Sequence, residues 1–150
     1  MNATEVNMSP FQVEIHTDGS CLGNPGAGGY AAIICCKGYE KVISGGEQET
    51  TNNRMELTAV IEALSSLKAP SEVIVYSDSE YVVNSITRGW KRNRNHDLWN
   101  QYDAVTGSQN IVSLRFVHEK GHTGNEYNER CDTIAKKEAF AKATYNFLCQ

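Results

Sequence analysis

The chain has 150 residues, with 14 Lys and Arg against 18 Asp and Glu for a net charge of -4. That length suits one domain, which buries roughly two thirds of its unfolded surface, and no apolar run reaches the roughly 18 residues that cross a bilayer. Five cysteines, Cys21, Cys35, Cys36, Cys131 and Cys149, form an odd set without a C-x-x-C pair, which argues against a disulfide framework or a thiolate zinc site and for a reducing, cytoplasmic setting. The opening MNATEVNMSP has neither the basic start nor the apolar stretch of a signal peptide. Residues 1–10 are therefore expected to be a flexible extension and residues 11–150 the domain.

In FQVEIHT (11–17), Phe11, Val13 and Ile15 alternate with Gln12, Glu14 and His16, the period of a half-buried strand. Asp18 is expected just past its end. GYAAIICC and EKVIS predict two further strands, joined through Lys37 and Gly38 and closed by a Gly45-Gly46 turn. From Asn53 the spacing becomes helical, with Leu57, Val60, Ile61, Leu64 and Leu67 in a stripe that ends before APS. EVIVYS predicts a strand ending at Asp78, and SEYVVNSI a helix. HDLWNQYDAV predicts a short helix, IVSLRFV a strand with Val112, Leu114 and Phe116 on one face, and Asn125 to Leu148 a long helix. This order implies an α/β fold, a mixed sheet with helices on its faces. With the strands before Asp18 and Asp78 as parallel neighbours, their carboxyl ends would meet where open α/β sheets bind ligands.

Two near-motifs fail on context. GNPGAGGY fits neither G-x-G-x-x-G nor the Walker pattern and precedes a strand, so it lacks the helix N-terminus that cradles phosphate; a tight turn between antiparallel strands is expected. HEKGH (118–122) fits the zinc-protease H-E-x-x-H, but it continues a strand and carries Gly121, so a zinc peptidase is a distant reading. The basic RGWKRNRNH, with Arg88, Lys91, Arg92 and Arg94 around Trp90, suits either a solvated turn or an electrostatic footprint.

Adjacent carboxylates at Asp18 and Asp78 would repel unless a cation neutralised them, and oxygen-only ligands favour magnesium. Each has a plainer account. Asp78 suits a helix N-cap, and Asn53 with Glu56 three residues on makes a capping-box pattern. Glu56 also shares a helix side with Val60, Ala63 and Leu67, which would aim it at the sheet edge, while Asp132 shares one with Ala135, Ala139 and Ala143 and could be simply exposed. Spacing alone does not join four acids on four elements.

TDGSCLGNPGAGGY, TTNNRMEL, YSDSEYV and KGHTGNEYNERCD, in order across nearly the whole chain, resemble the signature segments of type 1 ribonuclease H of the bacterial kind. The resemblance implies a five-stranded mixed sheet, three antiparallel strands then parallel ones, flanked by helices. It implies that Asp18, Glu56, Asp78 and Asp132 bind two divalent ions, Mg2+ or alternatively Mn2+, that His122 assists proton transfer or product departure, and that the RNA strand of an RNA/DNA hybrid is hydrolysed to 5′-phosphate and 3′-hydroxyl ends. By the same resemblance Cys21, Asn24, Asn52 and Asn53 contact the minor groove, with Glu80 where a glutamine is common. Thr51 and Asn95 match a DNA-phosphate pocket, and Trp90 lines the DNA channel. The chain departs from the pattern at Glu49, where related enzymes often carry arginine, and in a basic handle shortened to TRGWKRNRNHD. A monomer with no membrane partner is expected. A DNA-cutting relative such as a junction resolvase, and a hybrid-binding module without catalysis, are the alternatives.

Overall fold

The computed structural model describes residues 9–120 and 125–149. His122 and all but Ser9 and Pro10 of the expected N-terminal extension lie outside the described residues. The elements are β1 (Phe11–Leu22), β2 (Gly26–Cys36), β3 (Tyr39–Thr50), α1 (Asn52–Ser65), β4 (Ser71–Ser77), α2 (Glu80–Thr87), α3 (His96–Thr106), β5 (Ile111–His118) and α4 (Glu126–Leu148). The strands form one sheet in the order β3-β2-β1-β4-β5. β1, β2 and β3 pair antiparallel, while β4 runs parallel to both β1 and β5. This is the mixed α/β sheet expected, and Gly23 to Pro25 make the turn between β1 and β2.

Each face buries its own core. Ile15, Val73 and Val75 of the sheet pack with Leu57, Val60 and Leu64 of α1 and with Trp99 of α3; burying each such side chain contributes about 1.5–3 kcal/mol. On the opposite face Ala31 and Ile33 meet Cys131 and Ala135 of α4. Small residues let α4 come close: a Cβ on Gly29 would lie 2.2 Å from the Ala135 carbonyl oxygen.

Three expectations are corrected. β1 does not end before Asp18. Its parallel ladder with β4 stops at Thr17 opposite Ser77, but its antiparallel ladder with β2 continues through Asp18 opposite Ala31 to Leu22. Gly45 and Gly46 make no turn; they lie inside β3, opposite Tyr30 and Gly29, where a side chain would collide with the Tyr30 ring or the Gly28 carbonyl. Val112 leaves the face of Leu114 and Phe116, because the β4–β5 register shifts between Ser71 and Glu72 and leaves it unpaired and 51% exposed.

Candidate active site

β1 and β4 run side by side, so Asp18, just beyond the last parallel pair, and Asp78, just after Ser77, emerge at the same end of the sheet. Neither Asp78 nor Asn53 is a helix cap. Ser79 caps α2, its Oγ accepting from Val82 N at 3.1 Å, and Thr51 caps α1, its Oγ1 accepting from Arg54 N at 3.3 Å. Glu56 is then too far into α1 to close a capping box. Its carboxylate instead reaches β1, where the Gly19 backbone amide donates to Oε1.

One oxygen each of Asp18, Glu56 and Asp78 lies within 4.8 Å of the other two. Asp18 and Glu56 are buried and Asp78 half-buried. Burial is the first cause of the rise in the Asp18 carboxyl to about 7; Asp78 and Asp132 add to it, against hydrogen bonds from Glu56 and Gly19. Burial, then the charge of Asp18, raises Glu56 well above the carboxylate range. The hydrogen bond between the two acids lowers Asp18 and raises Glu56, so the proton they hold sits on Glu56. Asp132 stands outside this tight set, on the α4 wall of the same cleft, with Oδ2 2.9 Å from Lys136 Nζ.

The cleft has a volume of about 740 Å³ and is also lined by Asn52, Asn53, Glu80 and Trp90. Four other predicted contacts do not line it. The Cys21 thiol turns inward to the Gly26 and Thr50 carbonyls, at 3.5 and 3.4 Å. Asn24 Oδ1 accepts from Asn52 N at 3.0 Å, fastening the β1–β2 turn to the start of α1. Thr51 is the α1 cap. Asn95, in the left-handed region at φ 60°, donates to the Tyr81 hydroxyl at 3.1 Å and accepts from Arg54 Nη1 at 3.3 Å.

Arg54 thus joins Thr51 to Asn95, and it forms a bidentate pair with Asp97 at 3.0 and 2.7 Å that holds the Asp97 carboxyl down at about 2. Sequence reasoning passed over it, although it is the sole cation of TTNNRMEL. Lys136 was missed too; its signal was the i, i+4 spacing from Asp132. Glu119 carried no signal: its amide donates to Ser77 O at 2.8 Å, its carboxylate accepts from Asn125 Nδ2 at 3.1 Å, and burial followed by the charge of Asp78 raises its pKa. His118, the first residue of HEKGH, ends a strand with Nε2 3.3 Å from the Asp78 carbonyl oxygen, so the zinc-protease helix is absent there.

A mixed sheet carrying an oxygen-only acidic cluster at the ends of adjacent parallel strands defines an α/β protein built to hold hard divalent cations, a site suited to phosphodiester hydrolysis. The family model for RNase H matches residues 10–140. The chain is 47% identical over 146 residues to a ribonuclease H of Nitratidesulfovibrio vulgaris, covering 88% of this chain and 92% of the relative. It is 48% identical over 143 residues to the ribonuclease HI of Haemophilus influenzae, covering 87% and 91%. Its fold matches the crystal structure of LC11-RNase H1 in complex with an RNA/DNA hybrid, with a TM-score of 0.75 and 27% identity over 87% of this chain and 99% of that one. The chain belongs to the ribonuclease H family.

Proposed function

We propose that this chain hydrolyses the RNA strand of RNA/DNA hybrids to 5′-phosphate and 3′-hydroxyl ends, with Asp18, Glu56, Asp78 and Asp132 holding two Mg2+ ions, for which Mn2+ can substitute. The observation that carries this reading is the convergence of three carboxylate oxygens within 4.8 Å, in a cleft also lined by the neutral amides of Asn52 and Asn53. The donor set fits: it is all oxygen, and two of its acids are buried and hold a proton that a cation would displace. When bound, the ions neutralise these acids, acidify the attacking water and stabilise the leaving 3′ oxygen.

The chain's own residues do the rest. Glu56, held through Oε1 by the Gly19 amide, presents its other oxygen to the cleft. Asn52 and Asn53 donate and accept, which suits 2′-hydroxyls and base edges, with Cys21 and Asn24 shaping the turn behind them. Thr51, Arg54 and Asn95 receive a DNA-strand phosphate once Arg54 exchanges Asp97 for it, and Trp90 offers a stacking surface to the DNA strand. His122 takes part in proton transfer or product departure, for which an imidazole near neutrality is suited. Five free cysteines support a reducing compartment, the cytoplasm, and we assign a monomer.

The test is end-labelled RNA annealed to DNA, incubated with Mg2+ or with EDTA beside single-stranded RNA, duplex RNA and duplex DNA. Cleavage restricted to the RNA of the hybrid, and lost with EDTA or Asp78→Asn, is expected. A hybrid that binds but stays intact in both Mg2+ and Mn2+ would overturn the assignment.

A further inference from the structure

Glu80 is the acid of the cleft that no local interaction accounts for. It opens α2 two residues after Asp78 and lines the cleft wall, exposed, yet lies outside the cation-binding cluster. Its carboxylate has no hydrogen bond or ion pair among the described residues.

The following rests on the hybrid reading above. A hybrid seated in the cleft can present to Glu80 either phosphates, which repel a carboxylate, or the sugar and base edges of the minor groove. An ionised carboxylate only accepts hydrogen bonds. The minor groove offers it two kinds of donor, the ribose 2′-hydroxyl and the N2 amino group of guanine; the other bases present only acceptors there. The 2′-hydroxyl occurs on every ribonucleotide and carries no sequence information. The guanine amine does.

We propose that Glu80 makes the enzyme select guanine at one fixed position relative to the cut, by accepting a hydrogen bond from its N2 amino group. The selection is two-sided, because any other base there turns an acceptor toward the carboxylate and is penalised. A glutamine at this position both donates and accepts, and so has no reason to discriminate.

The test maps cut sites by sequencing the products of a hybrid pool randomised around the cleavage region, with the wild type and Glu80→Gln. The pool is prepared four ways: unmodified, with inosine for guanosine in the RNA, with deoxyinosine for deoxyguanosine in the DNA, and with 2,6-diaminopurine for adenine. We expect guanine enriched about tenfold at a single position of one strand, the discrimination of one charge-assisted hydrogen bond. Inosine in that strand, which lacks only the amine, should erase the enrichment; diaminopurine, which restores an amine to adenine, should create new preferred sites; Glu80→Gln should flatten the profile. Uniform cutting by the wild type, or a guanine bias that survives inosine or Glu80→Gln, overturns the proposal while leaving the hydrolysis reading standing. A pool left uncut by the wild type would instead sink the hydrolysis reading itself.

Discussion

The Gly19 amide donates to the Glu56 carboxylate where β1 and α1 come so close that a Cβ on Gly19 would fall 2.4 Å from the Glu56 backbone nitrogen and 2.6 Å from the Met55 carbonyl carbon. This glycine is required for space, since it sits in a strand, not in a left-handed turn. Gly19→Ala must push α1 outward and carry Glu56 away from Asp18. Overpacking of this kind costs about 1–3 kcal/mol, and disturbing a group that orients a metal-binding carboxylate weakens affinity about tenfold or more. Urea unfolding and calorimetric Mg2+ titration check the two effects separately. A destabilised variant with unaltered Mg2+ affinity would show that Gly19 serves packing alone.

The raised carboxyls of Asp18 and Glu56 give a pH dependence of definite sign. Between the ordinary aspartate value of 3.8 and about 7, the folded chain holds a proton that the unfolded chain has released. The cation-free protein is therefore most stable below that window and loses stability as pH rises through it, by at most about 1.4 kcal/mol per pH unit for one such group. Mg2+ displaces the proton, so its affinity rises over the same window. Thermal unfolding at about pH 5 and pH 8 should show Mg2+ stabilising the wild type far more at the higher pH, whereas cation-free Glu56→Gln should show a flatter pH profile. Equal Mg2+ stabilisation at both pH values would refute the shared proton.

Much of this site was legible in the sequence because period and order carry it. The apolar stripe from Leu57 to Leu64 marked α1, and alternation in EVIVYS ending at Asp78 marked the strand that β1 joins in parallel. The caps were not legible. TTNN and SDS each offer several residues able to cap, and only the backbone path decides that Thr51 and Ser79 do so, which releases Asp78 and Glu56 to the cleft. Gly45 and Gly46 looked like a turn because glycine pairs usually are one; here they clear space beneath Tyr30 and α4, a demand set by residues about 90 positions away that no local window contains. The link from Arg54 to Asn95 and Asp97 spans more than 40 positions and likewise depends on how α1 meets α3.

Lys136 Nζ, 2.9 Å from Asp132 Oδ2, occupies the place of a counter-cation at the wall of the cleft. Asp132 is also the acid that stands outside the tight set of three. A cation bound through Asp132 must compete with this ammonium. Lys136 is largely exposed, so the competition is mild. Lys136→Met should strengthen divalent-ion binding by about two- to fivefold, seen as a lower Mg2+ requirement for thermal stabilisation and for turnover. Weaker binding in Lys136→Met would mean that the lysine orients Asp132 and does not compete.

The basic segment between α2 and α3 divides into two jobs. The Arg92 guanidinium lies 4.3 Å from the Trp99 ring centroid and 5.6 Å from that of Tyr102, and its Nη1 is 2.8 Å from Asp103 Oδ1. It covers the aromatic edge of the core and has little charge left for a substrate. Lys91 and Arg94 are exposed and form no ion pair among the described residues. Arg92→Ala should lower stability by about 0.5–2 kcal/mol with KM for the hybrid nearly kept. Lys91→Ala with Arg94→Ala should do the reverse: little change in unfolding, a KM raised more than kcat is lowered, and a salt dependence of hybrid binding shallower by about two counterions. Urea unfolding together with KM measured across a salt series separates the two. A double variant with unchanged KM and salt slope would remove this segment from the nucleic-acid interface and leave Arg92 as its only working cation.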